Sequence, residues 1–180
     1  MSFVFTDENL EKIKAHVAKY PKNRQASAVL PLLDLAQRQC GGWLPQPAIE
    51  EVSKLLDMPF MRVMEVASFY TLFNLKPVGT FHVQICGTTP CWLKGSEELK
   101  NACEHHAAKD PVFTISEVEC LGACVNAPVV QINDDYYENL TSEELIQILK
   151  DMKKTLDGHA PTGLAMTTHL KKEKADADSE

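Results

Sequence analysis

Four of the six cysteines in this 180-residue chain fall in two close pairs, and that spacing is what could do chemistry. Four residues separate Cys86 from Cys91 in Ile85-Cys86-Gly87-Thr88-Thr89-Pro90-Cys91, and three separate Cys120 from Cys124 in Glu119-Cys120-Leu121-Gly122-Ala123-Cys124. Each pair can point both sulfurs at one inorganic centre, and together they supply a four-thiolate site. Zinc and a 2Fe-2S cluster both accept four thiolates, so the count alone does not choose between them. Structural zinc knuckles most commonly have two intervening residues, and neither pair here does. The wider gaps suit a two-iron cluster in which each pair grips one iron, although the distant second pair departs from plant-type and bacterial ferredoxin spacings. Such a centre carries a charge of about -2 when oxidised and about -3 when reduced, so nearby N–H and O–H donors control its potential. Gly87, Gly122 and Ala123 allow the backbone close to sulfur, and Thr88 and Thr89 offer hydroxyls. The same residues also serve as ordinary turn formers.

Cys40 and Cys103 lie on apolar helical faces, where free cysteine behaves as a small hydrophobe, and both are excluded as ligands. His105 and His106 raise mixed histidine–cysteine ligation, but adjacent helical residues face different ways. No cysteine pair has the two-residue spacing of a thioredoxin-type redox motif.

Hydrophobic residues make up 44% of the chain and charged residues 24%, the balance of a globular protein able to bury a core. A net charge of -7 opposes nucleic acid as the main partner, because phosphate binding needs a positive field. No apolar stretch approaches a membrane span, and the start lacks the features of a signal or transit peptide, so the chain is expected to stay where it is made. In a reducing compartment, close cysteine pairs read as metal or redox sites rather than disulfides.

The elements that must position the pairs follow from periodicity. Thr6 is an N-cap for a helix carrying Leu10, Ile13 and Val17. A second helix runs from Arg24 with Val29, Leu30, Leu33, Ala36 and Cys40 on one face, and Gly41-Gly42 stops it; Pro31 falls either in its first turn or at a kink. Pro47 opens a third helix, and Phe60 to Phe73 form a fourth. At Thr80 the period changes to two: Phe81, Val83 and Ile85 alternate in a strand that delivers Cys86 to its C-terminal end. A helix from Ser96 follows, then strands at Phe113 to Val118 and Val129 to Asn133. A hairpin return at Tyr136-Tyr137 precedes a helix opened by the capping box Thr141-Ser142-Glu143-Glu144. This β-α-β-β-α order matches a shortened thioredoxin-like fold. The fold class is α+β: a helical bundle over residues 1–75, a thioredoxin-like 2Fe-2S ferredoxin domain over 76–157, and a polar tail over 158–180 read as disordered.

The segments Val66-Ala67-Ser68-Phe69-Tyr70-Thr71-Leu72-Phe73, Pro77-Val78-Gly79, Thr89-Pro90-Cys91, Gly95-Ser96, Glu119-Cys120-Leu121-Gly122-Ala123-Cys124 and Ala127-Pro128 resemble one family, in order and with its spacings. It is the thioredoxin-like 2Fe-2S subunit of respiratory complex I, the NADH:ubiquinone oxidoreductase, and the likeness runs from about Tyr20 to the last helix. The resemblance implies that Cys86, Cys91, Cys120 and Cys124 bind one 2Fe-2S cluster exchanging single electrons with FMN on a partner subunit that binds flavin and NADH. It also implies contacts with other peripheral-arm subunits. FMN and NADH are expected on the partner rather than here, which agrees with the lack of a glycine-rich phosphate loop after any strand. The chain would then be a subunit of an oxidoreductase with no complete active site of its own. It would sit peripherally on the cytoplasmic side of a bacterial inner membrane, or on the matrix side in an organelle. The competing readings are the equivalent diaphorase subunit of an NAD-linked hydrogenase or formate dehydrogenase, and a zinc-stapled interaction module.

Overall fold

The computed structural model describes residues 3–158, and the expected tail lies outside them apart from Gly158. The chain divides into two compact units, the first ending at Thr80 and the second beginning at Phe81.

The first unit is helical: α1 (Asp7–Val17), a 3-10 turn (Gln25–Ala28), α2 (Val29–Gln39), α3 (Gln46–Leu55) and α4 (Phe60–Phe69). Thr6 caps α1 by accepting from the Asn9 amide at 3.4 Å. The run from Arg24 begins as a 3-10 turn, so α2 starts at Val29 and Pro31 sits in its first turn, where the missing N–H costs nothing. Gly41, at a φ of 74°, turns the chain left-handed after α2, and the Gly42 amide closes on the Gln37 carbonyl at 2.9 Å. The fourth helix ends at Phe69 rather than Phe73 because Tyr70 leaves helical geometry at a ψ of 114°. Phe73 then turns back into the core. Leu32, Leu33, Ile49, Val52 and Val63 are fully buried at the centre of this unit.

The second unit runs β1 (Phe81–Cys86), α5 (Thr89–Leu93), α6 (Ser96–Ala107), β2 (Phe113–Val118), a 3-10 turn (Cys124–Asn126), β3 (Val129–Ile132), β4 (Asp135–Glu138) and α7 (Ser142–Gly158). The sheet order is β2-β1-β3-β4. β1 pairs in parallel with β2, placing Cys86 opposite Val118, and antiparallel with β3, placing Ile85 opposite Val130. A parallel pair needs a crossover, which α6 supplies. The capping box forms at α7: the Thr141 amide donates to Glu144 Oε2 at 2.9 Å, and the Glu144 amide donates to Thr141 Oγ1 at 3.3 Å. Val83, Ile85, Leu99, Cys103, Leu145 and Leu149 form the core between the sheet and α6 and α7. The short α5 is an element that periodicity does not reveal. Its signal is Pro90 at the helix start, and it places Cys91 on a helical turn rather than in open loop.

Candidate metal centre

Both cysteine pairs sit at one end of the sheet. Cys86 is the last residue of β1, and Cys91 follows on α5; both are 1% exposed, packed with Ala127 and Val129 and flanked by Leu121 and Ala123. Cys120 follows the end of β2, and Cys124 opens the 3-10 turn leading through the cis Ala127-Pro128 peptide into β3; both of these cysteines are exposed. One half of the site is therefore built into the core, and the other faces outward.

The Sγ atoms of Cys120 and Cys124 are 3.6 Å apart. Tetrahedral coordination with metal–sulfur bonds of about 2.3 Å places two thiolates about 3.8 Å apart. This pair is therefore already spaced to chelate one ion. Cys86 and Cys91 interact directly, and the charges of the two pairs reach each other, Cys124 acting on Cys91 and Cys86 on Cys124. Among the described residues, no three His, Cys, Asp or Glu side chains gather as the ligands of one ion. The two pairs lie at the same end of the sheet and feel each other's charge, and their thiolates are a donor set that suits an iron–sulfur centre.

Donors surround the sulfurs as a thiolate site requires. Burial pushes the Cys86 thiol up, but Thr88, whose hydroxyl lies 3.2 Å from Sγ, outweighs it together with the Leu121 and Thr88 amides and Cys91. The net shift is downward. Leu121 belongs to the second loop, and its packing against Cys86 and Cys91 brings the two loops together. Burial and the neighbouring Cys86 push Cys91 up to about 11 against a bond from the Val129 amide. The hydrogen bond with Cys120, reinforced by desolvation, raises Cys124. A metal cation removes these penalties by replacing the protons. Gly122 takes a φ of 82° and donates its amide to Cys120 Sγ at 3.4 Å. The expected donors Thr88 and Gly122 thus contact sulfur, while Thr89 begins α5.

The two excluded cysteines lie elsewhere. Cys103 is fully buried on the inner face of α6, and burial pushes its thiol up to about 12. Cys40 follows α2 in the first unit, half-buried and raised by desolvation. Sequence reasoning missed two supports. Tyr136 on β4 donates its hydroxyl to the Leu121 carbonyl at 2.9 Å, holding the second loop from behind, and Glu117 lies against Gly87 beside the first. Neither has a local sequence signal, because each acts across strands.

Residues 13–153 match the thioredoxin-like [2Fe-2S] ferredoxin family. The chain is similar to a subunit of the NADH-quinone oxidoreductase of Rickettsia bellii, with 55% identity covering 84% of this chain and 95% of that one. It is 48% identical to the mitochondrial NADH dehydrogenase [ubiquinone] flavoprotein 2 of Dictyostelium discoideum, covering 94% of this chain and 70% of that one. Its fold is also similar to that of an NAD+-reducing [NiFe]-hydrogenase in the H2-reduced state, at a TM-score of 0.60 and 21% identity, covering 77% of this chain and 25% of that one. The chain belongs to the thioredoxin-like [2Fe-2S] ferredoxin family, and within it to the group formed by these NADH-quinone oxidoreductase subunits.

Proposed function

We propose that this chain is an electron-transfer subunit of NADH-quinone oxidoreductase and holds one 2Fe-2S cluster on Cys86, Cys91, Cys120 and Cys124. The observation that carries the site assignment is the placement of the two cysteine pairs at one end of the sheet, with Leu121 and Ala123 of the second loop packed against the buried Cys86 and Cys91 of the first. Bound there, a 2Fe-2S cluster accepts and returns a single electron. The chain's residues orient the four sulfurs, surround them with N–H and O–H donors and bury one pair. Gly122 lets the backbone approach Cys120, and Val129 and Thr88 serve Cys91 and Cys86.

The electron's source is read as flavin on a partner subunit that also binds NADH. Support comes from the surface beside the ligands: Trp92 and Leu93, next to Cys91, are 56% and 70% exposed, and Val125, next to Cys124, is 97% exposed. Apolar side chains so placed suit burial by a protein partner beside the exposed cysteine pair. Among the described residues no helix is long and apolar enough to cross a membrane. In this reading, attachment to the NADH-oxidising side of the membrane comes through the other subunits.

Serine replacement separates ligands from bystanders. Cys86→Ser, Cys91→Ser, Cys120→Ser and Cys124→Ser are each expected to abolish or alter the EPR signal of the reduced chain. Cys40→Ala and Cys103→Ala keep it, although Cys103→Ala loses on the order of 1 kcal/mol of stability from the core. Signal loss in folded Cys40→Ala or Cys103→Ala protein would overturn the ligand assignment.

A further inference from the structure

Glu117, on β2 directly beside Ile85 of β1, lays its side chain over the backbone of Gly87, the residue that follows Cys86. A Cβ at Gly87 would collide with Glu117 Oε1 and stand 2.8 Å from its Cγ and Cδ, so the glutamate fills the space a side chain there would take. The Gly87 amide donates to the Val118 carbonyl at 3.0 Å, carrying the β1–β2 ladder one residue past the cysteine and holding Gly87 beneath the carboxylate. From α6, Lys100 Nζ meets Glu117 Oε2 at 2.6 Å across a cleft of about 210 Å³ whose walls include Trp92 and Ser96. On the other side of that cleft Trp92 Nε1 donates to Glu97 Oε2 at 3.2 Å.

Stability does not account for this placement. Lys100 is 36% and Glu117 51% exposed, and ion pairs that accessible contribute little to folding. Their position beside a ligand's backbone does have a consequence. A centre that becomes more negative on reduction is opposed by a nearby carboxylate and favoured by a nearby ammonium, and the effect reaches several ångströms inside protein.

We propose that Glu117 and Lys100 form a compensated charge pair beside the centre bound by Cys86, in which Lys100 cancels the carboxylate's opposition to the incoming electron, so that losing either residue alone shifts the reduction potential. The proposal rests on the reading of the four cysteines as cluster ligands. Both residues act through charge and position, and neither touches the metal.

An EPR-monitored redox titration of the full chain with its cluster tests this, with dithionite supplying the single electron. Glu117→Gln is expected to shift the midpoint in the positive direction and Lys100→Met in the negative direction. The double variant, which removes the pair as a neutral unit, returns close to the wild-type value, and Lys100→Arg keeps it. The single-variant shifts shrink as salt rises, because the groups are partly exposed. Unchanged midpoints in variants with normal spectra would overturn the pair's role, and so would a double variant in which shifts of one sign accumulate. A wild-type chain that takes up no 2Fe-2S cluster would instead overturn the underlying reading of the site.

Discussion

Two cysteines of the site are buried and two are exposed, and this difference sets what each residue contributes. Cys86 and Cys91 are buried, and Thr88 helps offset the cost to a thiolate at Cys86 while burial still holds the Cys91 thiol up, whereas Cys120 and Cys124 keep their spacing at the surface. A residue-scale prediction concerns His82 on β1, whose Nε2 lies 2.8 Å from Ser116 Oγ. Burial depresses its pKa below 6.5, so the unfolded chain binds the extra proton first as pH falls. Its contribution is fully present above pH 6.5 and is lost as pH drops from there toward the folded value. In His82→Gln, thermal melts should decline less steeply between pH 7 and pH 5 than in wild type; parallel declines would refute a half-buried histidine held neutral by desolvation. The cysteines were legible in the sequence because metal ligands announce themselves by type and spacing. Glu117 and Tyr136 were not, since their roles arise from cross-strand neighbours that no local pattern encodes.

At the scale of elements, the second cysteine loop has no regular structure between β2 and its 3-10 turn and depends on the strand behind it. Tyr136 of β4 bonds the Leu121 carbonyl, and the Asn139 amide is shared between the Asn126 and Pro128 carbonyls at 2.8 and 3.0 Å. Asn126 Nδ2 also donates to Glu138 Oε2 at 2.7 Å. Tyr136→Phe removes one hydrogen bond, worth about 1 kcal/mol, from the Leu121–Gly122 peptide, whose amide donates to Cys120 Sγ. We expect several-fold faster loss of the cluster to an iron chelator with the far-UV spectrum unchanged, and an unaltered rate would show that the latch is unnecessary. The strands and the capping box of α7 were readable because alternation and capping are local signals. The five-residue α5 is too short to show a period, and α4 ends early because Phe73 is needed in the core, a demand set by tertiary packing.

At the scale of the molecule, the core built by Val83, Ile85, Leu99, Cys103, Leu145 and Leu149 draws only on residues of the second unit. We therefore propose residues 76–157 as a domain in its own right, with the helical region before it as another. A fragment of residues 76–158 is expected to fold cooperatively and to hold the cluster; a fragment that fails to fold under conditions where the whole chain folds would contradict this division. The central claim concerns what the four cysteines hold, and metal and sulfide analysis of anaerobically purified full chain tests it most directly. The account predicts about two irons and two acid-labile sulfides per chain. One zinc per chain, with neither iron nor labile sulfide, would contradict it.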